Sequence, residues 1–370
     1  MTALPPGHRV VVRAFGETPM DALDHHVHLE PQDAPDPATL GPHDVLIAVR
    51  SASVGWVDLL MTSGQYQHMP HPPYVPGLEY AGEILHVGAA VRAGLKVGDA
   101  VLSDGLQTGP RSGGAHQGWG GFASYAVAPD FAVHPIPGGL SFDEACNLLG
   151  NYETAIHGLL ARGRIQPGET VLVLGASGAT GLAAVHVARL SGATVIATGR
   201  SDAKLAVVQA QGAHHVVNTR AEDGGVRPFR DDVRALAGGR GVDVVWDAVG
   251  GDLSLEALRC LRFGGRFLIM GWAGTPFVAR GKGQRGAPNA NVLPTNLLMM
   301  KGIDVLGCPT VIGTEHDPAL RPPRLERLWR WVVDGDLRPL VSGVFPLSDH
   351  ASALHAKWRG DAVGALVVRP

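Results

Sequence analysis

The residues of this chain best suited to chemistry lie where an apolar run meets a glycine-rich turn. Val171-Leu172-Val173-Leu174 leads into Gly175-Ala176-Ser177-Gly178-Ala179-Thr180-Gly181, and Leu182–Leu190 continues with helical spacing. A strand that enters such a turn and leaves it as a helix presents unpaired backbone N–H groups and a favourable helix dipole to a pyrophosphate. In that reading Gly178 lets the phosphates approach closely, and Gly181 lets the helix pack tightly on the strand. Against the pattern G-x-G-x-x-G the first glycine is Ala176, so the motif rests on its place between strand and helix. The alternative is a tight strand–helix turn that holds no ligand.

The next strand decides which dinucleotide such a site would take. A site for NAD usually carries an acid ~20 residues beyond the first glycines, bonded to the ribose 2′-hydroxyl. Here the segment reads Ala197-Thr198-Gly199-Arg200-Ser201-Asp202-Ala203-Lys204, with no acid directly at the strand end. Arg200, Ser201 and Lys204 offer cations and a hydroxyl, which suit a 2′-phosphate, so the expected cofactor is NADPH. Asp202 has a competing explanation as a helix cap, and Lys204 as an exposed helix charge.

These segments need a scaffold, and the hydrophobic pattern supplies one. Strands are predicted at Thr170–Leu174, Thr194–Thr198, His215–Val217, Val242–Asp247, Arg266–Met270 and Asp304–Leu306. Helical spacing falls between them at 179–191, 202–211, 228–237 and 252–262. Near-continuous Val/Leu/Ile strands alternating with amphipathic helices predict an α/β domain with a doubly wound parallel sheet. Before it, Val45–Val49, Gly82–Gly88 and Val97–Leu102 read as short strands between Gly/Pro turns, with a loop over 103–121 and a helix over Phe142–Leu160. That pattern predicts an irregular, barrel-like β domain. The tail returns to a helix at Leu325–Asp334 and a strand at Gly364–Val368. The expected division is 1–150 with 315–370 as one domain and 151–314 as the dinucleotide-binding domain.

Bulk properties remove other function classes. The 370 residues are 45% hydrophobic and 18% charged, with a net charge of −3 and no long basic run. Nucleic acid and an anionic membrane are therefore not expected partners. No apolar stretch reaches membrane-spanning length and the first residues lack a signal-peptide core, so the cytoplasm is the expected location. Cys146, Cys260 and Cys308 are widely spaced, which argues against disulfides and a cysteine-rich zinc site. A hydrolase is not indicated either, since Gly175-Ala176-Ser177-Gly178-Ala179 is not G-x-S-x-G.

Across nearly its entire length the chain resembles the medium-chain dehydrogenase/reductase superfamily. The residues that carry the resemblance are Pro76-Gly77-Leu78-Glu79-Tyr80-Ala81-Gly82, Gly98-Asp99, the glycine-rich turn, Val242–Gly251 and Gly264-Gly265-Arg266, in that order. Asn296–Gly302 and Gly335–Pro339 are similar to its quinone oxidoreductase branch. The resemblance implies a GroES-like β domain beside a Rossmann sheet, a cofactor in the cleft between domains, and a homodimer. It implies further cofactor contacts at Thr154, Val249, Gly271 and Asn296. Where the zinc-dependent members carry cysteine and Gly-His-Glu, this chain has Ser53–Asp58 without cysteine and Gly77-Leu78-Glu79, so no metal is expected.

A reductase without a metal needs an activated acceptor, such as a quinone or an alkene conjugated to a carbonyl. Tyr66 matches a tyrosine that related enoyl reductases place near the reacting carbon, which makes it the expected proton donor; the alternative is a tyrosine that only lines the pocket. Glu79 is expected to hydrogen-bond within its domain. Among the 17 histidines, Asp24-His25-His26-Val27-His28 reads as a strand with Val27 and Leu29 inward. Arg280, Lys282 and Arg285 sit in what looks like an insertion, Phe277–Gly286, and would favour an enoyl thioester substrate if they face the cleft. A third reading is an NADPH-binding protein whose main role is not enzymatic.

Overall fold

A computed structural model describes residues 4–274 and 291–370. Arg280, Lys282 and Arg285 lie outside the described residues. Two compact units are present. Among the described residues, those up to Gly150 together with Arg338–Pro370 form one, and 151–274 together with 291–337 form the other.

In the second unit six strands form one parallel sheet in the order His215–Asn218, Thr194–Gly199, Thr170–Val173, Val242–Asp247, Leu261–Ile269, Asp304–Gly307. The order reverses direction between Thr170–Val173 and Val242–Asp247, the kind of switch point at which open α/β sheets bind ligands. Leu172, Ile196, Val245 and Phe267 are buried in one core. Burial on both faces explains why these strands read as unbroken apolar runs. Helices Ala179–Leu190, Asp202–Ala210, Arg230–Leu236 and Asp252–Cys260 connect them. The final connection differs from expectation: Leu261 already begins a strand where helix to residue 262 was predicted.

The first unit is built around one long strand, Asp44–Ser53. It pairs antiparallel with Tyr80–Val87, Tyr125–Pro129 and Ala365–Arg369 within a seven-stranded sheet. Its alternate side chains enter different clusters: Val45, Ile47 and Val49 join the main core, while Leu46 packs with Tyr125 and Val127. Three expectations fail here. The strand at 97–102 is Ala100–Ser103, because Val97–Asp99 forms the turn before it and Val97 is exposed. The helix over Phe142–Leu160 is broken into Phe142–Ala145, Leu149–Ile156 and a wider helical turn, His157–Arg162. Asn147 marks the first break, its amide bonded to the Asp143 carbonyl and its Oδ1 accepting from Ser53. Asp24 and His25 end a helix, Pro19–His25, capped by Thr18; the strand starts at Val27, and Leu29 faces solvent.

The helix Arg321–Val333 belongs to the second unit, and not with the 315–370 segment expected to join the first. A buried ion cluster shows why. Glu153 receives Nε and Nη2 of Arg321, both at 3.0 Å, and Nη2 of Arg324 at 3.2 Å, and all three residues are at least nine-tenths buried. Removing the anion strands two guanidinium groups in the interior, which typically costs about 3–5 kcal/mol. Urea denaturation of Glu153→Ala is therefore expected to show a loss of that order; wild-type stability would refute the role.

Candidate functional site

The glycine-rich turn has the shape its sequence implies. Gly175 sits at φ 64°, a left-handed conformation that disfavours other residues, and the Ala176 N–H donates to Thr198 on the neighbouring strand at 3.1 Å. The helix Ala179–Leu190 starts from Gly178, and no side chain caps it. The N–H groups of its first turn are thus available to an anion. Two glycines that look equivalent in sequence differ in cause. A Cβ on Gly181 would lie 2.3 Å from the Gly175 carbonyl, so the fold itself requires glycine. A Cβ on Gly178 would meet only that same oxygen, at 3.6 Å, and its φ of −72° suits any residue. Nothing among the described residues demands glycine at 178.

The structure brings several expected residues to this turn. Thr180 donates from Oγ1 to Asn151 Oδ1 at 2.9 Å, which ties the helix start to the segment carrying Thr154, three residues on along Leu149–Ile156. A Cβ on Gly175 would touch Val249 Cγ2 at 2.8 Å, placing Val249 against the turn. Gly271 lies beside Ala248 and Val249, since Ala273 and Gly274 donate to the carbonyls of those two residues. Asn296 is not brought in: it is exposed, and no hydrogen bond among the described residues ties it to the turn.

Asp247 was not anticipated. Buried at the end of its strand, it accepts from the N–H groups of Val249 and Gly250, each at 2.9 Å, and from Ser254 Oγ. Burial pushes its carboxyl up, against those bonds. Asn291 closes the arrangement, accepting from Gly251 N–H and donating to Ser254. Together they fix the loop that carries Val249. An acid directly after Val-Val-Trp was the available signal.

At the end of the second strand, Arg200 is exposed and Ser201 caps the helix Asp202–Ala210, its Oγ accepting from Lys204 N–H at 3.5 Å. The cap assigned to Asp202 thus belongs to Ser201, whose extended backbone aims its oxygen along the helix. Asp202 accepts instead from Asn218 Nδ2 at 2.8 Å.

In the first unit, Tyr66 is half-buried just beyond the helix Trp56–Thr62, with its ring edge-on to His68. Asp58 organises that region. It is 2% exposed and accepts from the N–H groups of Gly55 at 2.9 Å, Gly77 at 2.9 Å and Leu78 at 3.1 Å. Burial raises its carboxyl to about 6, against the pull of these bonds and of Arg111. Glu79 accepts from the Gly150 N–H at 2.6 Å. Burial raises it to about 7, opposed first by Arg111 and then by the Gly150 bond. Two further features escaped the sequence: Trp56 and Trp358 stack with centroids 5.4 Å apart, and burial lowers Lys357 to about 8, opposed by Asp58.

The stretches Ser53–Asp58 and Gly77-Leu78-Glu79, compared above with zinc-binding motifs, contain no cysteine or histidine, and Glu79 is bonded to backbone. Among the described residues no group of three or more His, Cys, Asp or Glu could hold a metal ion. Nor is any described helix long and apolar enough to cross a membrane.

Two consequences can be measured. Gly181→Val should destabilise by about 1–3 kcal/mol or more, because the turn must move to admit the side chain; an unchanged melting midpoint would contradict the packing. The pH dependence of Glu79 has a definite sign. Its carboxyl ionises near 4.5 when unfolded and near 7 when folded. Between those values the unfolded chain binds fewer protons, so wild-type stability falls as pH rises. Glu79→Gln removes that component, so its stability relative to wild type should improve from pH 5 to pH 8. A gap that stays constant or moves the other way would refute the assignment.

Comparison with known proteins agrees with this geometry. Residues 41–138 match the family model described as alcohol dehydrogenase GroES-like domain, and 179–318 match zinc-binding dehydrogenase. A quinone oxidoreductase-like protein 2 homolog of Nematostella vectensis is 33% identical over 331 residues, 89% of this chain and 82% of that protein. A quinone oxidoreductase of Lama guanicoe is 37% identical over 311 residues, 84% of each chain. Among solved structures, a probable oxidoreductase from Mycobacterium abscessus superposes with a TM-score of 0.78 at 28% identity, covering 99% of both chains. The chain belongs to the medium-chain dehydrogenase/reductase superfamily, in its quinone oxidoreductase-like branch, a family of oxidoreductases that use a nicotinamide cofactor.

Proposed function

We propose that this protein is an NADPH-dependent, zinc-free reductase of small-molecule quinones or α,β-unsaturated carbonyls. The observation that carries the cofactor assignment is the free space at Gly178, at an uncapped helix start, together with cations rather than an acid at the end of the adjacent strand. The residues of the turn, Gly175 to Gly181, would hold the pyrophosphate. Val249 borders that turn, Thr154 lies on the helix tied to it through Asn151, and Gly271 lies beside Ala248; Thr154, Val249 and Gly271 would add further cofactor contacts, and Arg200, Ser201 and Lys204 would face the 2′-phosphate. Asn296 is retained as a contact on family resemblance alone.

Bound NADPH supplies a hydride for an electron-poor carbon of the acceptor. An acceptor that has gained a hydride carries an extra electron pair, as an enolate or a hydroquinone anion, and must take up a proton. We assign that proton to the Tyr66 hydroxyl; its replacement on the ring comes from solvent. A quinone or enone fits a protein without a Lewis acid because its own conjugation makes it electrophilic, so no metal is needed to polarise it. The homodimer implied by the family is part of the same proposal.

Chelator-treated protein should oxidise NADPH with quinones or simple enones at an undiminished rate. Loss of turnover on chelation, restored by zinc, would overturn the metal-free reading. Tyr66→Phe should lower turnover on enones by about 10²-fold while leaving NADPH affinity nearly unchanged. Turnover equal to wild type would transfer the proton to water or to another group.

A further inference from the structure

Away from the glycine-rich turn, three elements of the second unit bring unsatisfied donors together. Glu153 and His157 lie one helical turn apart, so they share a face of the segment that runs from Leu149–Ile156 into His157–Arg162. Arg324, on the helix Arg321–Val333, donates from Nη2 to Glu153 at 3.2 Å and to Thr314 Oγ1. Thr314 belongs to the helix Thr310–His316, and Gly313 of that helix faces the imidazole. A Cβ on Gly313 would lie 3.8 Å from His157 Nε2 and 3.9 Å from Cε1, and no other atom of the described residues outside that helix would come within 4 Å. His157 is 2% exposed and Arg324 4%. No partner among the described residues reaches either ring nitrogen of His157, or Nε and Nη1 of Arg324. Protein interiors rarely leave such groups unbonded, and orphans of this kind point to a bound water or ion.

Charge decides between the two. Arg321 and Arg324 share the single carboxylate of Glu153, so the cluster sets two cations against one anion. Burial lowers the Arg324 guanidinium, and Arg321 adds to that shift against the attraction of Glu153. Burial also lowers His157 to about 4, with Arg324 and then Arg162 pushing the same way. The imidazole is therefore neutral near pH 7 and keeps one N–H to donate. A water would satisfy the N–H groups but leave the excess positive charge in the interior, whereas an anion answers both. The open space beside Gly313 is on the scale of one methyl group, which admits a halide and excludes a phosphate.

We propose that Arg324 and His157 bind one small inorganic anion of the halide class against Gly313, as a structural ligand of the second unit. The anion accepts from the guanidinium and from the one N–H of the imidazole. Melting of the full-length protein in sodium chloride and in sodium gluconate at equal ionic strength tests this, since gluconate is too large to enter. Chloride should raise the midpoint saturably, by about 3 °C at a tenfold excess over its dissociation constant. Arg324→Met should abolish the difference; it removes one cation and leaves Glu153 paired with Arg321 through two nitrogens, so a neutral pair remains in the core. His157→Phe should weaken chloride binding about tenfold. In wild-type crystals soaked in sodium bromide, anomalous density should lie within hydrogen-bonding distance of Arg324 and His157, a result that needs no variant to fold. Equal midpoints in the two salts, or a chloride effect of unchanged size in Arg324→Met, would overturn the inference. Bromide density without a chloride-dependent midpoint would mark an adventitious ion only and would overturn it as well.

Discussion

The second unit depends on how closely the helix Ala179–Leu190 approaches the strand Thr170–Val173. The absent side chain of Gly181 permits that approach, 2.3 Å being all the room a Cβ would have, and the positive φ of Gly175 turns the chain sharply enough to use it. The rest follows from that contact. The helix start lies at the switch point of the sheet, its first N–H groups have no side-chain cap, and Thr180 bonds to Asn151, on the helix that carries Thr154. A requirement of packing thereby leaves an uncapped helix start at the switch point, while among the described residues nothing gives Gly178 a packing reason to be glycine.

A single carboxylate has a comparable role in the first unit. Asp58 holds three backbone N–H groups from two separated segments, Gly55 on one side and Gly77-Leu78 on the other. The fold spends desolvation energy to bury this charge, and its raised pKa is the sign of that cost. In return one side chain fixes the loops beside Trp56 and Glu79. The two units use the same device, since Asp247 fixes the Val249 loop in the same way.

What the sequence disclosed depended on range. The parallel strands were legible because burial on both faces leaves an unbroken apolar run, and the glycine-rich turn because its residues are contiguous. Short strands such as Gly7–Val12 and Tyr125–Pro129 were not, since their partners are distant in the chain and their own alternation is brief. Neighbouring polar residues could not be told apart either: Ser201 and Asp202 are both good caps, and only backbone geometry gives the cap to Ser201. Asn218 was invisible for the same reason, because its bond to Asp202 exists only once His215–Asn218 lies beside Thr194–Gly199. The pairing of Trp56 with Trp358, and of Glu153 with Arg321 and Arg324, joins parts of the chain that no local pattern connects.

The central claim is that the turn is a dinucleotide site and not merely a tight connection. Gly178→Asp tests it most directly, because that position has room for a side chain and an ordinary backbone conformation, while a carboxylate there would repel a pyrophosphate. The measurement is a calorimetric titration of the full-length variant with NADPH, alongside its melting midpoint. A dinucleotide site at this turn predicts a near wild-type midpoint with NADPH affinity reduced by about 100-fold or more, as expected when a like charge is buried against the ligand. NADPH binding at wild-type affinity by the folded variant would contradict it.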